Sequence, residues 1–206
     1  TNIKSISDSS GYTCSGALVF QTSANNANVS EKMRITSGGD VLIGTTSLPN
    51  GSTSFGVGLT PASNDRMSIR AATSTTSNSG LVFFYNPNGV VGSIQTSGSS
   101  TSYNTSSDYR LKENVVEMTG ALDRVDALKP SRFNFIADPN TTVDGFIAHE
   151  VAEVVPEAIS GEKDEVDEEG NPIYQGIDQS KITPLLTAAI KELRAEVESL
   201  KSQLNA

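Results

Sequence analysis

Along the first half of the chain, apolar residues come in short clusters separated by Gly, Ser and Asn. Ala17-Leu18-Val19-Phe20, Met33-Arg34-Ile35-Thr36 and Val41-Leu42-Ile43 are rich in β-favouring residues and too short for helices, so they predict strands. Gly38-Gly39-Asp40 separates the second from the third, and Asn88-Gly89 separates residues 81–85 from 90–94; both predict hairpin turns. Residues 15–20 recur loosely as residues 79–84, a degenerate repeat of about 64 residues. With only three or four apolar residues on a face, such strands cannot build a full core alone. Intertwined copies that use the subunit interface as their core meet that need, and a monomeric β-sandwich is the alternative.

In the second half the period changes. Leu122, Val125 and Leu128 predict a short helix with Thr119 as its cap and Lys129-Pro130 as its end. Arg132-Phe133-Asn134-Phe135-Ile136 alternates as a half-buried strand does, and Asp138-Pro139-Asn140 is the expected turn. Gly145-Phe146-Ile147-Ala148 leads into a helix with Val151, Val154 and Val155 on one face, closed near Pro156, which completes a small α+β unit. From there to the C-terminus the clearest signal is a heptad seam. Leu186, Ile190, Leu193, Val197, Leu200 and Leu204 step by 4, 3, 4, 3, 4. With Ile190, Val197 and Leu204 at a and Leu186, Leu193 and Leu200 at d, Glu196 falls at g and Arg194 and Lys201 at e, so Glu196 can reach Lys201 of a neighbouring copy. A coiled-coil helix over about residues 183–206 is expected, with Thr183 as N-cap and Pro184 in its first turn. One amphipathic helix lying on its own domain is the competing account, and β-branched a with Leu d leans towards a dimer rather than a trimer.

Composition sharpens the division into two regions. Residues 1–106 carry five Lys/Arg and four Asp/Glu, a net of +1, whereas residues 107–206 carry ten and twenty, a net of −10. Ser and Thr supply 36 of the first 106 residues and 11 of the last 100, so the expected domains are 1–106 and 107–206. An acidic chain without a basic stripe is a poor nucleic-acid binder, and no apolar run approaches the roughly 18 residues that span a bilayer. The N-terminus, lacking a start Met and a signal-peptide core, reads as that of a soluble piece of something longer. One Cys and one His cannot make a disulfide within the chain or a Cys/His zinc site, so no metal or cofactor is expected. Cys14, with no basic neighbour in sequence, reads as an incidental thiol. Residues 162–169 hold six acids and one Lys and read as a solvated loop, whose spacing does not follow the EF-hand order.

The boundary itself reads Thr105-Ser106-Ser107-Asp108-Tyr109-Arg110-Leu111-Lys112-Glu113-Asn114-Val115. It resembles the opening motif, Ser-Asp-x-Arg-x-Lys, of the self-cleaving C-terminal intramolecular chaperone domains of phage tail spikes and tail fibres, the endosialidase type. Three further stretches are similar in order: Ala127-Leu128-Lys129-Pro130 followed by Phe133; Gly145 to Val151 with Pro156-Glu157-Ala158; and Gly176-Ile177-Asp178 through Leu193. Residues 1–106 look like generic tail-fibre β repeats, residues 33–46 most of all.

The resemblance implies a homotrimer whose β-rich half is an intertwined fibre tip, which meets a host-surface receptor, saccharide or protein, and whose second half is a folding chaperone. The location it implies is a virion tail fibre or spike, assembled in the host cytoplasm. It further implies self-cleavage between Ser106 and Ser107, with Ser107 as nucleophile and Lys112 as its partner. A Ser hydroxyl is a weak nucleophile until a base accepts its proton, and a lysine does so only when desolvation or a nearby cation favours its neutral form. Arg110 is the candidate cation. Attack within one chain and attack from a neighbouring subunit are both open. Where the family pattern has Gln after Ile-Ala, this chain has His149, either an accessory group for the cleavage or a structural hydrogen-bonding residue. A fibre tip that keeps its trimerisation domain uncut is the alternative role.

Overall fold

The computed structural model describes residues 2–7, 16–24, 28–62 and 66–205, and Cys14 lies outside them. The chain divides into two compact units, residues 1–112 and 113–206.

The first unit is all β. Strands β1 (Asn2–Ser7), β2 (Gly16–Thr22), β3 (Ser30–Ile35), β4 (Val41–Ile43), β5 (Gly56–Ala62) and β6 (Arg66–Ala72) form one antiparallel meander in sequence order. Strands β7 (Ser79–Asn86), β8 (Gly89–Ser97) and β9 (Ser100–Thr105) form a second. The expected strands fall in β2, β3, β4, β7 and β8, and both expected hairpins form, with Ile35 opposite Val41 and Asn86 opposite Gly89.

Strands β5 and β6 carry little apolar patterning, because Gly56, Gly58 and Pro61 interrupt the first of them. Those residues have positional reasons. A Cβ at Gly58 would sit 2.8 Å from Pro49 Cδ, so only glycine admits the loop that crosses there. Pro61 lies beyond Leu59, the last β5 residue paired with β4, where its missing N–H leaves no gap in that ladder. The two repeat copies become β2 and β7, yet they differ in placement. The interior strand β2 buries Ala17 and Val19, whereas β7 is an edge strand on which Val82, Phe83, Phe84 and Tyr85 are exposed.

The second unit has a contiguous core. It contains α1 (Ala121–Ala127), the hairpin β10 (Ser131–Phe135) and β11 (Asp138–Gly145), α2 (Ala148–Ala152), the short pair β12 (Ile159–Ser160) and β13 (Gly176–Ile177), and α3 (Ile182–Leu204). Ala121, Leu128, Val151, Val155, Ala158, Ile182, Leu185 and Ala189 bury together, with Leu122, Val125 and Val154 packed against them.

Three local expectations are corrected here. Helix α1 is not capped by Thr119: Gly120 takes the N-cap with φ 68°, and the Glu192 carboxylate of α3 accepts from Ala121 N at 3.0 Å and Leu122 N at 2.9 Å. A carboxylate at a helix N-terminus satisfies the orphan N–H groups and the helix dipole together, whichever part of the chain delivers it. The hairpin turns at Ile136 and Ala137, and Asp138-Pro139-Asn140 opens β11, because the Thr-rich run after it pairs back from Phe135–Asp138 onward. Thr183 lies inside α3, which is entered through a 3-10 turn (Gln179–Lys181) whose cap, Asp178, accepts from Ser180 N at 3.0 Å. Pro184 still falls in the first turn, where its lack of an N–H costs nothing.

Helix α3 has two apolar stripes. Ile182, Leu185 and Ala189 are buried in the unit's own core, while Leu186, Ile190, Leu193, Val197, Leu200 and Leu204 are all exposed, from 39% at Val197 to 87% at Leu204. The heptad seam is therefore not the stripe by which the helix packs on its own unit.

Candidate functional site

Strand β9 ends one residue before the Ser106-Ser107 bond. Ser106 stays on the ladder: its N–H donates to Val91 O at 3.1 Å and its hydroxyl to Val90 O at 2.9 Å, which pins the residue before the bond to β8. Asp108 then caps a 3-10 turn (Tyr109–Leu111) by accepting from Arg110 N at 2.9 Å. The turn closes with Leu111 N donating to Asp108 O and Lys112 N to Tyr109 O, both at 3.1 Å. Three residues per turn carry the chain back on itself, so a side chain five positions on meets Ser107. Lys112 Nζ donates to Ser107 Oγ at 2.7 Å. Both residues are exposed in the single chain.

Arg110 is engaged elsewhere. Its guanidinium forks onto Asp108, Nε to Oδ1 at 2.9 Å and Nη2 to Oδ2 at 2.8 Å. That bond, followed by the backbone bond from Arg110 N and the attraction of Lys112, holds the Asp108 carboxyl below the usual carboxylate range, and the pairing raises the Arg110 guanidinium in turn. Arg110 thus fixes the capping carboxylate, and its charge is balanced there. Asp108 is the residue that spacing alone passes over, although an Asp before a short turn with Arg two positions on is a legible capping signal.

His149 belongs to the second unit. It is half-buried on α2 and lines an open cleft of about 420 Å³ with Glu153, Glu162, Lys163 and Gln175. The acidic segment beside it is exposed but ordered: Asp167 accepts from Glu169 N and Asn171 N, and Val166 bridges to Pro172. Among the described residues, no group of three His, Cys, Asp or Glu side chains is placed to hold a metal ion. No described helix is long and apolar enough to cross a membrane.

No curated protein matches the chain. Ser107, which the turn brings to Lys112, is also the first residue of a family match that runs through Ile159-Ser160 and so takes in the first three of the four ordered motifs; residues 107–160 match the model of the chaperone of endosialidase, and the chain carries a domain of that family there.

Proposed function

We propose that residues 107–206 trimerise and fold the β-rich half of a phage tail fibre or spike and then release it by cutting the Ser106-Ser107 bond. The observation that carries this reading is the 2.7 Å contact of Lys112 Nζ with Ser107 Oγ at the first residue of the family match. Ser107 Oγ attacks the Ser106 carbonyl carbon and Lys112, in its neutral form, takes the hydroxyl proton. The C–N bond breaks, the proton passes to the Ser107 nitrogen as it becomes an α-amine, and an ester joins Ser106 to Ser107 Oγ. Water hydrolyses that ester to a Ser106 carboxylate and restores the Ser107 hydroxyl. Because nucleophile and base meet within one chain, attack within the chain is favoured.

The resting bond runs from the ammonium to the hydroxyl, the reverse of the direction catalysis needs. A lysine accepts a proton readily only after its charged form loses water. Packing of neighbouring copies around the exposed Lys112 supplies that loss and ties the cut to assembly. The exposed heptad seam of α3 supplies the means of assembly, and the number of three copies is what the family resemblance implies. Removal of the chaperone then leaves a fibre held by its unfolding barrier.

Denaturing electrophoresis of the intact product beside Ser107→Ala and Lys112→Ala variants tests the dyad. Two nearly equal bands are expected from the parent and one full-length band from each variant, and hydroxylamine should speed the parent's cleavage by trapping the ester. A cut Ser107→Ala chain removes Ser107 as nucleophile. An uncut parent leaves the second role, a fibre tip that retains its trimerisation domain.

A further inference from the structure

Ser106 sits level with an irregularity in β8. Against β7 the register slips, with Phe84 opposite Gly92 and Tyr85 opposite Val90, so Val91 is the extra residue of a β-bulge. Against β9 the same strand runs regularly, from Ser97 opposite Ser100 to Gly92 opposite Thr105, and the next residue along β9 is Ser106. In a regular strand successive carbonyls turn to opposite neighbours. Here two in a row serve one residue: Val91 O accepts from Ser106 N at 3.1 Å, and Val90 O accepts from Ser106 Oγ at 2.9 Å. Every residue of β9 is exposed, so hydrogen bonds to β8, not side-chain packing within the chain, hold its end in place.

We propose that Ser106 is a positioning residue for the cut and acts through its hydroxyl on the β8 bulge. This rests on the cleavage proposed above. The bond to be broken is the peptide link between two anchored residues. Upstream, Ser106 is tied to Val90 and Val91; downstream, Ser107 Oγ meets Lys112 Nζ at 2.7 Å across the turn that Asp108 caps. Attack by Ser107 Oγ makes the planar Ser106 carbonyl carbon tetrahedral, so the acyl and hydroxyl halves must keep their mutual orientation while that carbon changes shape. Anchors on both sides remove the rotations that would separate them. Both bonds of Ser106 use its donors, and neither ties up the carbonyl oxygen on which negative charge gathers during the attack. Any residue except proline brings the backbone donor, whereas the second anchor needs a hydroxyl at position 106. The clamp also exists only once β8 and β9 have paired, which makes the sheet itself a condition for the cut.

The test times self-cleavage of the full chain by denaturing electrophoresis, with dilute neutral hydroxylamine present so that ester hydrolysis does not limit the rate. Light scattering is read on the same preparations. Ser106→Ala should slow the cut by about fivefold or more, and Ser106→Thr, which keeps a hydroxyl, should recover most of the parent's rate. Ser100→Ala removes a similar bond, Ser100 Oγ to Ser97 O at 2.8 Å, from the far end of the same strand and should leave the rate unchanged. An unchanged rate in Ser106→Ala, no recovery in Ser106→Thr, or an equal loss in Ser100→Ala overturns the proposal. A Ser106→Ala chain that loses the parent's oligomeric state places the hydroxyl in assembly and overturns it as well. In each of these outcomes the parent still cuts, so the Ser107 and Lys112 dyad stands. A parent that stays uncut overturns the cleavage reading and this inference together.

Discussion

The two units solve the burial problem differently. In residues 113–206, helix stripes from α1, α2 and α3 close over Val151, Val155, Leu185 and their neighbours, so this unit has a core within one chain while the α3 seam stays exposed. In residues 1–112 the buried apolar residues among those described are Ala17, Val19 and Leu42, while Phe83, Phe84, Tyr85, Ile69 and Met67 stand in solvent. The second unit closes a core of its own by bringing α1 onto α3, with Glu192 reaching Ala121 from 71 residues away. The sheets pair only strands that are neighbours in sequence, and they leave apolar faces and edge strands open. The difference suits the proposed function: a unit with a core of its own and an exposed heptad seam would gather the copies that the β unit needs.

The largest effect expected follows from separating them. Residues 1–106 expressed alone should aggregate or misassemble, measured as loss of soluble, size-homogeneous material, if the second unit nucleates assembly. Soluble, correctly assembled 1–106 would refute the chaperone role.

The next prediction sets the two stripes of α3 against each other. Leu193→Asp or Leu200→Asp places a carboxylate in the exposed seam and should abolish the trimer in light scattering, with soluble yield falling alongside, while circular dichroism of the second unit is nearly unchanged. Leu185→Ala removes a side chain that is 1% exposed in the core and should cost about 3 kcal/mol of that unit's stability by chemical denaturation. A trimer that survives both seam substitutions would mean that the seam does not join the copies. If instead Leu193→Asp unfolds the unit as Leu185→Ala does, the seam is part of the unit's own fold.

How much of this could be read from the residues depends on the range of the interaction that decides each element. The candidate dyad is legible because a local motif sets it: Asp108, the turn and Lys112 lie within six positions, and short-range capping is written in adjacent letters. The seam is legible because its period runs for six residues in a row. Strand β9, Ser100–Thr105, is not, since Ser-Thr-Ser-Tyr-Asn-Thr shows no alternation and is a strand only because β8 offers a ladder to pair with. The cap of α1 is not legible either, because Glu192 arrives from 71 residues downstream of Ala121 and Thr119 offered a plausible local substitute. At Asp138-Pro139-Asn140 a strong turn composition lost to the pairing of Asn134 with Thr142 and Phe133 with Val143, which draws the whole run into β11.

The smallest effect concerns that long-range cap, and it probes how firmly α1 is tied to α3. The Ala121 and Leu122 N–H groups, joined by a weaker bond from Gly120, hold the Glu192 carboxyl below its ordinary range. A carboxyl that is more acidic in the folded than in the unfolded chain adds stability that is present above the ordinary carboxylate range and is lost as pH falls through the lowered folded value. Asp144, Asp167 and Asp178 are lowered too, by Arg132, Asn171 and Ser180 respectively, so the parent's acid unfolding alone does not isolate Glu192. Glu192→Gln keeps an oxygen that can accept from the helix but removes the charge. Its thermal midpoint should lie below the parent's at neutral pH, and the gap should narrow as acid protonates Glu192 in the parent. A gap that stays constant from neutral to acid pH would mean that the Glu192 charge does not contribute to holding α1.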